Sequence, residues 1–124
     1  MFEYISTEKA PAAVGPYSQA VRTGNMLYAS GQIPLIPETG AIEANDIAGQ
    51  AEQVCKNIGK VLEASGLTFE NVVKTTCFLA DMSDFAVFNE VYGKYFTSKP
   101  ARSCVAVKQL PKDALCEIEI IAIG

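Results

Sequence analysis

Leu115-Cys116-Glu117-Ile118-Glu119-Ile120-Ile121-Ala122-Ile123, close to the C-terminus, is a β-prone run with apolar side chains at both parities. Alternate residues of an extended chain point to opposite sides. Cys116, Ile118, Ile120 and Ala122 therefore share one face, and Leu115, Glu117, Glu119, Ile121 and Ile123 share the other. The first face suits a core. The second sets two carboxylates among aliphatic groups, and a chain leaving it bare would display a large apolar patch, so another copy of the chain is expected to cover it.

Working outward, Arg102 to Val107 reads as a strand joined to the last one by a loop containing Pro111. Ser83 to Phe96 has helical spacing through Phe85, Phe88, Tyr92, Tyr95 and Phe96, and the β-branched stretch Asn71 to Ala80 reads as a strand. From Asp46 to Ser65 apolar residues fall at Ile47, Ala51, Val54, Cys55, Ile58, Val61 and Leu62, a helical stripe opened by an Asp cap and closed by Gly66. Tyr17 to Thr23 and Met26 to Ser30 flank Gly24-Asn25, the signature of a tight hairpin. Pro11 to Pro16 is a loop, and Pro34, Pro37 and Gly40 mark a turn region. The order is β-β-α-β-α-β-β, with room for a short N-terminal strand. Two helices for about six strands cover one face of a sheet and leave the other open. No repeat, low-complexity tract or linker interrupts the 124 residues, so residues 1–124 read as one domain.

Composition removes whole classes of chemistry. The chain contains no histidine, which excludes Ser-His and Cys-His dyads and imidazole metal ligands. Carboxylates, tyrosine and water are left for proton transfer. Cys55, Cys77, Cys104 and Cys116 are widely spaced, form no C-x-x-C pair and sit in apolar patterns, the usage of reduced, buried thiols in a cytoplasmic protein, and no metal site is expected. The start, Met1-Phe2-Glu3-Tyr4, lacks the basic and apolar segments of a leader, and no apolar run is long enough to span a membrane. With a net charge of −4 and scattered Lys and Arg, nucleic acid is a poor partner.

Against that background Pro100-Ala101-Arg102-Ser103-Cys104 stands out. A guanidinium among apolar neighbours needs either an internal acid or an anionic ligand for its planar donor fork. Arg102 and Cys104 share one strand face; Glu117 and Glu119 share a face of theirs. If both are the faces turned away from the helices, the charges meet in a subunit interface. Arg102 then either pairs with Glu119 or Glu117 as an ion pair, or is offset in part by one acid while it binds a substrate carboxylate and the other acid positions water for cofactor-free hydrolysis. Asn89 interrupts the stripe of Phe85, Tyr92 and Phe96, either as a helix-packing hydrogen bond or as a pocket group. Tyr17 is a strand aromatic or a phenol donor beside a bound anion. Cys104 lacks a base suited to making it a nucleophile.

Several motifs, spread along nearly the whole chain, together resemble the reactive-intermediate deaminase family, RidA, also called YjgF. They are Ala10-Pro11-Ala12, Gly15-Pro16-Tyr17, Ser30-Gly31-Gln32-Ile33-Pro34, Val73-Lys74-Thr75-Thr76, Asp84-Phe85 with Phe88-Asn89, Pro100 to Val105, Leu110-Pro111 and Glu117-Ile118-Glu119. The resemblance implies an α+β, chorismate-mutase-like fold with a mixed sheet, assembled as a homotrimer with sites in the clefts between subunits. It also implies hydrolysis of enamines and imines, such as 2-aminoacrylate and 2-iminopropionate, to 2-oxo acids and ammonia without a cofactor. By position, Arg102 matches the family's carboxylate-binding arginine and Glu117 the acid that holds the hydrolytic water, a distinction from Glu119 that spacing does not make. Tyr17, Gly31, Asn89 and Cys104 match further pocket positions, Cys104 through its backbone. The chain departs from the family in the short Thr97-Ser98-Lys99 connection before Pro100, where many members carry a longer segment with an aromatic residue, so the pocket rim is expected to differ. Two rival functions follow from the same residues: a binding module for 2-oxo acids or related carboxylates, and the ribonuclease or translation-inhibitor roles ascribed to some members, which a histidine-free acidic chain suits badly.

Overall fold

Asp46 opens the longer helix, α1 (Ile47–Ala64), by accepting the Gly49 N–H on its carboxylate at 2.9 Å, which satisfies one of the amides that a helix start leaves unpartnered. At the other end Gly66 takes a left-handed φ of 73°. The Gly66 and Leu67 N–H groups donate back to the Glu63 and Leu62 carbonyls, a Schellman closure. Every residue of the stripe predicted from spacing, Ile47 to Leu62, is buried. The structure is a computed structural model and describes residues 1–124.

The strands are β1 (Glu3–Ile5), β2 (Ala20–Thr23), β3 (Met26–Gln32), β4 (Leu35–Ile36), β5 (Ala41–Ile42), β6 (Val72–Leu79), β7 (Ala101–Ala106) and β8 (Cys116–Ile123), with helix α2 (Phe85–Tyr95) between β6 and β7. Six of them form one sheet in the order β1-β2-β3-β8-β6-β7. Its pairs are antiparallel except β6 with β7, the parallel pair that the α2 crossover requires. This is the expected mixed α+β arrangement.

Both helices pack on one side, over a core that includes Ile118, Ile120, Ala122, Leu79, Phe88 and Phe96. The opposite side exposes Tyr28, Val105 and Ile123, with Phe78, Ile121 and Glu117 partly covered and Glu119 exposed. The two-faced reading of the last strand is thus realised. Its first paired residue is Cys116 rather than Leu115, whose N–H goes instead to Gln50 Oε1 at 2.8 Å.

Three local differences matter for the site. Strand β2 begins at Ala20, not Tyr17, because Gln19 is occupied elsewhere: its amide accepts the Thr7 N–H at 2.7 Å and donates to the Pro11 carbonyl at 2.8 Å, pinning the Pro-rich loop. Strand β3 continues past Ser30 to Gln32 through a register shift after Ala29, a bulge that changes which way the chain faces. The 34–40 turn region contains a separate two-stranded hairpin, β4 with β5, held to α1 by the buried Asn57 amide, which donates to the Ile33 and Leu35 carbonyls at 3.2 and 2.9 Å. On the other side of the chain, a single-turn 3₁₀ segment, Met82–Asp84, precedes α2.

Candidate active site on two faces of the sheet

Arg102 does not lie on the face of Glu117 and Glu119. On β7 it is in register with Thr75, and Cys104 with Cys77; Thr75 and Cys77 are buried on the helix side. Glu117 and Glu119 are in register with Phe78 and Thr76, residues of the opposite parity on β6. The expectation that both sets of charges lie on the face turned away from the helices is therefore incorrect, and within one chain Arg102 pairs with neither acid. Parity within a strand orders its residues, but pairing with β6 decides which parity faces the helices. The ion pairs in the chain are Lys9–Glu63 and Lys60–Glu63, both at the surface.

Arg102 is held by neutral groups instead. Its Nη1 donates to Asn89 Oδ1 at 2.7 Å, and its guanidinium carbon lies 4.7 Å from the Tyr92 ring centroid and 5.4 Å from that of Phe85, within cation–π range. Asn89 therefore serves the arginine, not helix packing. Tyr92 is itself fixed by a 2.7 Å hydrogen bond between its phenol and Thr75 Oγ1 and by stacking on Phe96. Asn89 and the rings orient the fork without neutralising it, which leaves a half-buried cation able to accept a carboxylate. Tyr92 and Phe85 are contributors that the sequence reading placed in the apolar stripe; the signal available was a Tyr where a plain core position would take Phe.

Glu117 belongs to the other half. Its carboxylate lies over Gly31 so closely that a Cβ at position 31 would come within 2.1 Å of Oε2 and 2.8 Å of Cδ. The approach of the acid leaves no room for a methyl group at position 31 unless the Glu117 carboxylate swings aside; Gly31 lies in the part of β3 where the register shifts. Burial first, and the Glu119 carboxylate second, push the Glu117 carboxyl above its usual range. Tyr17 and Gly31 both line a cavity of about 350 Å³ beneath the Pro-rich loop, together with Val14, Gln32 and Lys112. The Tyr17 hydroxyl accepts the Val14 N–H at 3.3 Å, so its own proton is available to a ligand.

Cys104 neighbours the Arg102 half but is no activated nucleophile: burial raises its thiol pKa, and the nearby Arg102 offsets only part of the rise. Cys55, Cys77 and Cys116 are buried and free, with burial pushing Cys77 and Cys116 up to about 12. No group of three or more Cys, Asp or Glu side chains is arranged to hold a metal ion. No helix is long and apolar enough to cross a membrane. Within one chain the six candidate residues are thus divided: Arg102, Asn89 and Cys104 lie on the helix side, Glu117 rests against Gly31, and Tyr17 shares with Gly31 the cavity under the Pro-rich loop.

A family model described as endoribonuclease L-PSP matches residues 7–124. The chain belongs to that family, and the resemblance to RidA proteins is confirmed by its relatives. It is 50% identical over 127 residues to the 2-iminobutanoate/2-iminopropanoate deaminase of Escherichia coli K12, covering 99% of this chain and 98% of that protein. It is 53% identical over 121 residues to Reactive Intermediate Deaminase A, chloroplastic, of Arabidopsis thaliana, covering 97% of this chain and 65% of the plant protein. The crystal structure of E. coli TdcF with bound serine superposes with a TM-score of 0.94 at 44% identity, covering 98% of each chain. The RidA-type fold and the L-PSP family description are therefore two labels for one architecture.

Proposed function

We propose that this chain is a cofactor-free deaminase that hydrolyses enamine and imine carboxylates, 2-aminoacrylate and 2-iminopropionate among them, to 2-oxo acids and ammonia. The observation that carries the reading is the paired half-sites: a rigidly oriented guanidinium without a carboxylate partner, and an acid with a raised pKa resting on a glycine. The deaminases at 50% and 53% identity over nearly all of this chain support it.

One chain does not bring the halves onto one small molecule. Strands β7 and β8 are separated by β6, which places their backbones about 10 Å apart, and the two side chains leave opposite faces. A second copy of the chain supplies the missing half in this reading. The bare face with Tyr28, Val105 and Ile123 and the unpaired edge of β7 are the surfaces available to it. The assembly proposed is the homotrimer of the chorismate-mutase-like fold, each chain acting as a single 1–124 domain in the cytoplasm, with Arg102, Asn89 and the Cys104 backbone of one subunit facing Tyr17, Gly31 and Glu117 of the next.

The chemistry asked of these groups is modest. Arg102 clamps the substrate carboxylate through its fork, and the Tyr17 hydroxyl donates to the same anion. Protonation of the enamine carbon gives the imine; Glu117 takes a proton from the water that attacks the imine carbon and returns it to the departing nitrogen. Water addition across C=N gives a carbinolamine; its hydroxyl proton then passes through Glu117 to the nitrogen as the remaining C–N bond breaks and the C=O double bond forms, releasing the 2-oxo acid and ammonia. Such acid-base assistance is worth roughly a hundred- to ten-thousand-fold, and fixing the carboxylate adds orientation. RNA cleavage, which the family model's description names, fits these residues poorly, because the chain has no histidine and scattered cations.

The test is ammonia release from freshly generated 2-aminoacrylate against the uncatalysed rate. Acceleration by the purified protein supports the reading. Pyruvate binding without acceleration returns the protein to a carboxylate-binding module.

A further inference from the structure

The connection between α2 and β7 contains an unusual backbone three residues from Arg102. Lys99 has a φ of 55°, left-handed for a residue with a side chain, and it directly precedes Pro100, whose ring drives the residue before it toward extended backbone. Such conformations persist where surrounding structure imposes them and gather at ligand sites. Here the Lys99 N–H donates to the Phe96 carbonyl at 3.2 Å, closing a tight turn off the helix end.

That turn sets Lys99 on the rim of a cavity of about 420 Å³ whose lining includes Arg102, Tyr92, Gly93, Phe96 and Thr97. Its aromatic wall is firm, since Tyr92 and Phe96 stack with ring centroids 4.3 Å apart. Space is open beside it, because a Cβ on Gly93 would meet nothing within 4 Å. Two cations line this cavity and no carboxylate does. Neither Lys99 nor Arg102 forms an ion pair; Glu70, which accepts the hydroxyl of the lining residue Thr97, keeps its charge but pairs with neither cation. In a chain of net charge −4, two unpaired cations on one cavity make a local field that favours a dianion.

We infer that Lys99 is a specificity residue that selects imines carrying a second carboxylate on the side chain, those of four- and five-carbon 2-oxo diacids. The inference rests on the deaminase reading of Arg102. Arg102 takes the carboxylate next to the imine carbon, and the side chain runs along the Tyr92–Phe96 wall to an acid group that meets the Lys99 ammonium. The reaction is unchanged: imine and water give the 2-oxo diacid and ammonia. An ammonium on a flexible stem suits this role, since the second acid varies in reach and requires charge more than a fixed fork.

The experiment compares kcat/KM for 2-iminoglutarate and 2-iminobutanoate, each generated in place by an amino-acid oxidase, in the wild type, Lys99→Met and Lys99→Arg. The wild type is expected to favour the diacid imine, Lys99→Met to lower the diacid-to-neutral ratio at least tenfold through KM, and Lys99→Arg to keep most of it. Calorimetry with 2-oxoglutarate and 2-oxobutanoate should show the same split without turnover. A ratio that Lys99→Met leaves unmoved, or a wild type that hydrolyses only the neutral imine, overturns the role of Lys99 and leaves the deaminase reading standing. A wild type that hydrolyses neither imine overturns both.

Discussion

The two faces of the sheet solve the problem of a charged side chain in opposite ways. On the helix side Arg102 is surrounded by its own chain, with Asn89, Tyr92 and Phe85 fixing the guanidinium while its charge stays free. On the open side Glu117 has no cation at all, and burial together with Glu119 disfavours its ionised form. One face supplies a prepared cation and the other a carboxyl whose ionised form is disfavoured by burial and by Glu119. In the proposed deaminase these are complementary halves of the hydrolytic site, and each half lacks what the other has.

The sharpest way to break that comparison is to remove the cation. Arg102→Ala should lower kcat/KM for 2-aminoacrylate on the order of a thousandfold, about 4 kcal/mol of lost transition-state binding. Arg102→Lys should fail nearly as badly, because an ammonium lacks the fork that Asn89 orients. Mixing tests the division directly. Co-refolding Arg102→Ala with Glu117→Ala, each inactive alone, should restore activity at about a quarter of the sites if the halves come from different chains of a cyclic assembly. A mixture as dead as its components would place the site within one chain and contradict the register.

Removing the acid should separate turnover from stability. Glu117→Gln is expected to cut kcat on the order of a hundredfold while pyruvate binding persists. Thermal melts should show no loss of stability near neutral pH. A carboxyl whose folded pKa lies above its unfolded value destabilises the fold as it ionises, a cost that accrues as pH climbs from the unfolded value to the raised one. Its amide escapes that cost. A Glu117→Gln protein with full turnover would end the water-holding role.

Much of this architecture was legible because it is local. The stripe from Ile47 to Leu62 and the alternation from Cys116 to Ile123 are properties of single segments, and burial follows both. The site was legible as a set of residues but not as an arrangement. Arg102 and Cys104 were correctly assigned to one face of their strand, yet the face depends on pairing Thr75 with Arg102 across a parallel ladder, which strand periodicity does not contain. The buried amides of Gln19, Gln50 and Asn57 went unread for the same reason: each tethers a segment distant in sequence. Spacing alone does not separate Glu117 from Glu119; the family resemblance does, and the structure adds that the Glu117 carboxylate lies against Gly31 while Glu119 is exposed.

A methyl group at that contact gives a smaller and more pointed effect. Gly31→Ala should force the Glu117 carboxylate aside, since its Cδ as well as its oxygen lies within the excluded distance. The expected loss is roughly ten- to a hundredfold in kcat with little change in melting temperature, the cost of misplacing one group by about an ångström. Unaltered kinetics would mean that the acid's position over Gly31 is incidental.

The smallest effect concerns Glu119, which is exposed and unpaired with Arg102. Its carboxylate is the second cause of the raised Glu117 pKa, after burial. If ionised Glu117 guides the water, activity falls as pH drops through its pKa, giving the acid limb of the kcat/KM profile. Glu119→Gln removes a like charge, so the folded pKa of Glu117 drops toward its unfolded value and the limb moves to lower pH, with the plateau nearly unchanged. The same substitution should slightly stabilise the fold above the limb, where ionised Glu117 no longer faces a like charge. A limb that moves upward instead, or assembly lost on sedimentation, would mean that Glu119 is paired with a cation from a neighbouring subunit, and the open face would then be held together by charge as well as by apolar burial.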